Sequence, residues 1–382
     1  RNIKNLIKNK EIILISSACE DLSFYFFKMG YDVYAIHKYD SLLIHKYSKK
    51  NFLVKDNCYK TIINILDKID PYQKMEILVG SGFIEEVQNN ELIGNRKNRG
   101  NKLSVAQEIK SKKFFLMMTK TKINHPNWRL EIDSNYGWLA KSFSSFGGQK
   151  VWLNFNQENV TEDIYFQKII TGQHVSIQFL AEKGKTKILC FCRQHFLSDE
   201  SKPFIIKGIT TINLKKKVKR EMINITEKVS KFYGLNGLNS IDTVIDDDEK
   251  VNLIEINPRP GLTLKLLSKI YGKKLFNIDS DSEKKIPNLG TVIIYSPKDF
   301  FYKNCRKSFL TKLEKSKKYS ELPKRNHYIK KDFPICLKHF SFLENENLEE
   351  KLKKITYKFL KDLLYEDKYK SNIVKASKKS PK

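Results

Sequence analysis

The sequence predicts a mixed α/β protein of two or three subdomains, and three stretches carry that reading. Residues 11–17 form a continuous apolar run of the buried parallel-strand type. Residues 22–29 follow as a short helix stopped by Gly30, and residues 31–36 as a second strand, which makes a β-α-β unit. Residues 237–263 hold two apolar strands, 244–245 and 251–254, joined by the acidic turn 246–249. Near the end, Leu348, Leu352, Ile355 and Phe359 recur at helical spacing and mark an amphipathic helix.

The remaining elements follow in order. Residues 59–69 predict a helix and 75–79 a strand that ends in Gly80-Ser81-Gly82. No G-x-G-x-x-G motif follows the first strand, which argues against a dinucleotide site there. Ser16 and Ser17 stand at a strand end, where open sheets bind substrates. Residues 89–113 are polar and basic and read as a connection, and 104–118 as a helix. Residues 137–152 place Lys141 on a strand, then a Ser/Gly loop with Ser144, Ser145, Gly147 and Gly148, then a resumed strand. Small residues let backbone amides approach phosphate oxygens. Residues 175–180, 187–192 and 204–206 read as antiparallel strands, with Arg193 at the end of one. Residues 215–233 place Met222, Ile225, Val229 and Phe232 on a core-facing helix ended by Gly234. Strands at 290–295 and 333–336 precede the closing helix, and the tail beyond Lys368 is polar.

The hairpin carries the chemistry. Glu255 and Asn257 are two apart and share a strand face, and Asp242 lies near them on the other arm. The turn acids 246–249 need only water. Glu255 and Asn257 instead interrupt an apolar strand, where an unpaired charge is costly. Two carboxylates and an amide oxygen suit a hard cation such as Mg²⁺, and Arg259 can hold an anion with its planar fork.

At these residues, in the order D-x12-E-x-N-P-R-P, the chain resembles the ATP-grasp superfamily of carboxylate-amine ligases. The stretch from Lys141 to Val151 resembles that superfamily's lysine strand and phosphate-covering loop. The resemblance implies an ATP-grasp fold, with an N-terminal parallel α/β pre-ATP domain and two α+β subdomains sandwiching ATP. The corresponding bounds are 1–88, 89–172, 173–285 and a C-terminal extension, 286–382, packing on the core. It implies Mg²⁺, with Mn²⁺ as a substitute, on Asp242, Glu255 and Asn257. Lys141 would contact the α/β phosphates, and Ser144, Ser145, Gly147 and Gly148 would form the lid. Arg259 would meet phosphate or acyl-phosphate, with Arg193 as a second catalytic candidate. Residues 165–174 resemble the interdomain hinge, where the backbone of Lys168, Ile169 and Ile170 would read adenine. Gln167 and His174 replace the hinge acids, which puts ribose binding at that position in question. Either Lys112 or Lys113 would supply a further nucleotide-contacting lysine. The C-terminal strands and helix resemble a carboligase-like branch in methanogens and methylotrophs, related to tyramine-glutamate ligase. That branch implies a role in methanofuran or tetrahydromethanopterin synthesis.

Composition limits the alternatives. Apolar content of 40% is globular, and the chain has no apolar run near the roughly 20 residues that span a bilayer. With no signal peptide visible, a cytoplasmic protein is expected. The chain starts at Arg1, so the native N-terminus is expected upstream. Six cysteines without recurring metal-type pairs read as free thiols. The net charge of +28 admits a polyanion partner, but the lysines are scattered without aromatic interleaving. The partners that the resemblance implies are a small carboxylate and an amine, with a homodimer allowed. The competing readings are a non-catalytic nucleotide-binding protein and a basic nucleic-acid-binding protein.

Overall fold

A computed structural model describes residues 10–55, 59–85, 92–143, 147–153, 155, 163–197, 203–280 and 285–364. The N-terminal unit is a parallel sheet built from β1 (Lys10–Ile15), β2 (Tyr31–His37), β3 (Lys50–Leu53), β4 (Glu76–Val79) and β5 (Lys97–Asn98). Its order is β3-β2-β1-β4-β5. Helices α1 (Glu20–Lys28), α2 (Ile44–Tyr47) and α3 (Tyr59–Ile69) connect the strands. The central strand β1 is buried from Ile12 to Ile15, as a parallel strand covered on both faces must be.

The helical stretch expected over 104–118 is two helices, α4 (Leu103–Ile109) and α5 (Lys113–Thr121), broken at residues 110–112. The Ser111 hydroxyl donates to the Glu108 carbonyl and accepts the Lys113 N–H, a local alternative to continuing the helix. Next come β6 (Trp128–Arg129), β7 (Trp138–Ser142), β8 (Val151–Trp152) and β9 (Ile164–Lys168), an antiparallel sheet in the order β6-β9-β7-β8.

The largest sheet starts with β10 (Gln173–Glu182), β11 (Lys185–Phe196) and β12 (Ile206–Thr211). After α6 (Lys216–Tyr233) it continues with β13 (Gly237–Ile245) and β14 (Val251–Asn257). Beyond α7 (Leu264–Tyr271) it takes in β15 (Leu289–Tyr295). The short β16 (Phe300–Phe301) and α8 (Lys307–Lys315) precede β17 (Tyr319–Ser320), β18 (Tyr328–Ile329), β19 (Pro334–Ser341) and α9 (Leu348–Leu364). The order β14-β13-β10-β11-β12-β15-β19-β17 extends this sheet into the C-terminal segment.

One face of the large sheet, with Val175, Ile177, Phe179 and Ile241, packs on Val218, Met222, Ile225 and Val229 of α6. Phe232, expected in that core, is 43% exposed; Tyr233 is buried instead. Leu180, Leu189, Cys190 and Cys192 join Ile12, Leu14, Leu22 and Phe26 in a second core, which fastens the N-terminal unit to the sheet. The cysteines at 19, 190, 192, 305 and 336 are free.

Candidate active site

A cavity of about 510 Å³ opens between the β6–β9 sheet, the large sheet and the N-terminal unit. A β-bulge aims the hairpin side chains into it. Asp242 pairs with Glu255 and Ser240 with Asn257, but Thr243 pairs with Leu253, so Ile254 is the extra residue. In an unbroken strand Leu253 and Glu255 would share a face. The bulge sends Leu253 to the α6 core and leaves Asp242, Glu255 and Asn257 lining the cavity.

The two carboxylates differ in environment. Burial, and then the neighbouring Glu255, pushes the Asp242 carboxyl up to about 6. Burial also pushes Glu255 up, but Lys110, Lys141 and Arg259 outweigh it and hold it below its usual range. Lys110 makes a short ion pair with Glu255 from the break between α4 and α5. The sequence reading did not single out this lysine. Lys112 instead caps α5, and Lys113 pairs with Glu108 at 2.9 Å.

Lys141 is buried on β7, and its Nζ donates to Gln167 Oε1 at 3.2 Å. Burial lowers its ammonium pKa, with Glu255 and Asp242 working the other way. Gln167 Nε2 is buried with no hydrogen-bond partner. A buried cation beside an orphaned amide donor fits an anion such as a nucleotide phosphate. Arg259 is held by Glu85 (Nε to Oε1, 2.5 Å) and by Asn257 Oδ1 (3.3 Å), with its guanidinium on the cavity wall.

The donor set fits Mg²⁺ in kind. Among the described residues no group of three or more His, Cys, Asp or Glu side chains is arranged to hold a metal. A metal here would therefore rest on two carboxylates, one amide and nucleotide oxygens, as Mg²⁺ sites commonly do. Asn257 gives its NH₂ to Asp242 Oδ2 at 3.0 Å, so it joins as an oxygen donor only with its amide turned over.

Gly147 and Gly148 line the cavity, both in the left-handed region, with φ of 62° and 77°. A Cβ on Gly148 would lie 1.8 Å from the Phe204 carbonyl oxygen, so only glycine lets this turn rest on the entry to β12. Ser144 and Ser145 lie outside the described residues. Lys168, Ile169 and Ile170 line the cavity, as do Ser16 and Ser17. The Lys168 N–H is used on Asn127 O (2.7 Å) and the Ile169 N–H on Gly137 O (2.9 Å). Any base-edge contact there would fall to the carbonyl groups and to Ile170. His174 also lines the cavity. Burial, then Lys141, lowers its pKa to about 4, so it is neutral. It sits edge-on to Phe196 at 4.9 Å and near Phe204 at 5.5 Å, an aromatic wall rather than a ribose-binding acid.

Arg193 is a correction. It is exposed on β11, and the cavity is lined instead by its neighbour Gln194, beside Asp242. Strand alternation sends Arg193 to the opposite face with His195, whose Nδ1 meets Glu349 at 2.7 Å.

Residues 100–263 match the family model described as an ATP-grasp domain. A D-alanine--D-alanine ligase of Azobacteroides pseudotrichonymphae genomovar. CFP2 is 26% identical over 134 residues, 31% of this chain. The match spans 41% of that relative's length. An L-amino acid ligase from Bacillus licheniformis superposes with a TM-score of 0.68 at 12% identity, covering 93% of this chain and 98% of that one. Biotin carboxylase from Campylobacter jejuni gives 0.68 at 14% identity, covering 94% and 92%. N5-carboxyaminoimidazole synthetase from Staphylococcus aureus, complexed with ADP, gives 0.67 at 11%, covering 92% and 97%. At these identities the likeness to solved structures is one of fold.

Proposed function

We propose, because residues 100–263 match the ATP-grasp domain model, that this chain is an ATP- and Mg²⁺-dependent ligase joining a carboxylate to an amine. The observation that carries this reading is the meeting of Lys141, Arg259 and the Asp242–Glu255 pair in one cavity between two sheets. The substrate carboxylate attacks the γ-phosphoryl of ATP, which leaves ADP and an acyl-phosphate. The amine then attacks that carbonyl, and an amide and phosphate result. Asp242, Glu255 and Asn257 would hold Mg²⁺, which when bound neutralises phosphate oxygens. Lys141 would offset charge on the transferring phosphoryl group, Arg259 would orient the oxyanions, and the turn at Gly147–Gly148 would exclude water.

The finer reading, one-carbon cofactor synthesis, rests on the resemblance of the C-terminal strands and helix, and adds glutamate with tyramine to any substrate panel. It also expects small-molecule partners in the cytoplasm and allows a homodimer. No helix among the described residues is long and apolar enough to cross a membrane.

The test is ADP and phosphate release from Mg-ATP across a panel of acids and amines. Release that depends on one acid-amine pair supports the ligase. Lys141→Met is expected to lower that release on the order of 10²-fold, since it removes one preorganised charge. An unchanged rate would remove Lys141 from the phosphate site. A binding-only protein is the second reading, favoured by Gln167 and by the neutral His174 where acids were expected. Mg-ATP binding with no phosphate release on any pair would establish it.

A further inference from the structure

The far end of the cavity is walled by acids that the nucleotide chemistry does not use. Glu20 and Asp21 open α1, and Glu321 follows β17, three hundred residues later. Asp21 and Glu321 line the cavity, and Glu20 lies against Glu321. All three are nine-tenths or more buried, at 2%, 9% and 6% exposure. Glu321 Oε1 accepts the N–H groups of Glu20 (3.0 Å) and Asp21 (3.4 Å), which caps α1. Asp21 Oδ2 accepts from the Ser320 hydroxyl at 3.0 Å.

That leaves Glu20 Oε2, Asp21 Oδ1 and Glu321 Oε2 buried without a hydrogen-bond partner. The fully buried Ser41 hydroxyl lies beside Glu20 and works against the upward push of burial on that carboxyl. The nearby cation is Lys265, 3.4 Å from Asp21 Oδ1, and its ammonium also sits 3.6 Å over the Phe24 ring. Burial and mutual repulsion push Glu20 up to about 7 and Glu321 well above the usual carboxylate range. Native proteins rarely strand several buried acceptors together unless a donor arrives.

We propose that Glu20, Asp21 and Glu321 form a subsite for a primary ammonium group, so that the acid this chain activates is an amino acid. An ammonium brings three N–H donors and a positive charge to buried carboxylates whose hydrogen-bonding capacity is not filled, Glu321 Oε2 above all. A metal ion does not suit the niche, because no three acids among the described residues converge to metal-holding geometry. The cavity wall between niche and phosphate site is residues 260–264, which run from Arg259 to Lys265. A zwitterion held by its ammonium in the niche therefore presents its carboxylate toward Arg259. This assignment rests on the ligase reading for its substrate role but not for its binding.

The experiment uses the full chain with Mg-ATP and a panel of free amino acids beside their N-acetyl counterparts. It measures ligand-induced shifts in Tm and, separately, ADP release with hydroxylamine as acceptor. At least one free amino acid is expected to raise Tm where its N-acetyl form does not. Glu321→Gln is expected to weaken that binding at least tenfold while its amide oxygen still caps α1. Asp21→Asn is the second variant, should the first fail to fold. Equal binding of acetylated forms, wild-type affinity in the variants, or no shift with any amino acid would each overturn the subsite. Glu321-dependent binding with no ADP release would instead remove the ligase reading and leave the subsite standing. ADP release on acids without an ammonium, unaffected by Glu321→Gln, would do the reverse.

Discussion

Glu255→Gln is expected to cut ADP release on the order of 10³-fold, about 4 kcal/mol of transition-state stabilisation, while the protein stays folded. The glutamine keeps the shape of the side chain and one oxygen but not the charge. Three cations, Lys110, Lys141 and Arg259, act on this one carboxylate, so its loss leaves them facing one another around a half-neutralised site. Asp242 does not take over, because the short Lys110 ion pair is made to Glu255, and Asp242 is engaged by the Asn257 amide at 3.0 Å. The Mg²⁺ requirement is expected to rise in the variant, measured as the metal concentration giving half-maximal release. Retained release at unchanged Mg²⁺ dependence would take Glu255 out of the metal site. Lys110→Met should be milder alone. Combined with Glu255→Gln it should add less than its own effect, because the two side chains share one contact.

The difference in legibility between these two partners is instructive. Glu255 announced itself because a charge inside an apolar strand demands compensation, and that demand is local in sequence. Its partner was invisible. Lys110 is one of three lysines within four positions, and its contact spans 145 residues. Only the helix break at residues 110–112 selects it over Lys112 and Lys113, and that break depends on a hydroxyl bonding to its own backbone. Strand parity misled in the same way at Arg193 and Gln194. Adjacent residues take opposite faces, and which one meets the cavity follows from pairing with β10, where a bulge sits between Gln178 and Phe179. The lysine strand, the glycine turn and the hairpin were readable because each needs a particular residue type at a fixed spacing. Glu321 was not, since an acid in a polar loop looks solvated until the fold lays it over the start of α1.

Arg96→Met is expected to destabilise the protein by roughly 3–5 kcal/mol, the cost of removing one partner from a buried ion pair. The side chains of Arg96 and Asp70 are 2% and 5% exposed, and they meet at 2.8 Å. Asp70 also accepts the Lys74 N–H (2.9 Å) and the Met75 N–H (3.2 Å), and Arg96 Nη2 donates to the Asp70 carbonyl (2.9 Å). The pair therefore fixes the turn into β4 to the segment that leads toward α4. Methionine fills much of the volume but leaves a buried carboxylate with no cation. Five residues on, Asn101 extends the same connection, donating to Asn239 Oδ1 (2.7 Å) and to the Pro258 carbonyl (2.9 Å) and accepting the Asn236 N–H (2.8 Å). Pro258 lies between Asn257 and Arg259, so this buried polar chain ties the N-terminal unit to the part of the cavity wall that carries Arg259. Denaturant unfolding should show the loss in Arg96→Met, and Asp70→Ala with Arg96→Met together should cost less than the sum of the two. Below its melting temperature Arg96→Met should retain turnover, the opposite pattern to Glu255→Gln. A stability within 1 kcal/mol of the parent would mean that water reaches this pair and compensates the carboxylate in place of the arginine.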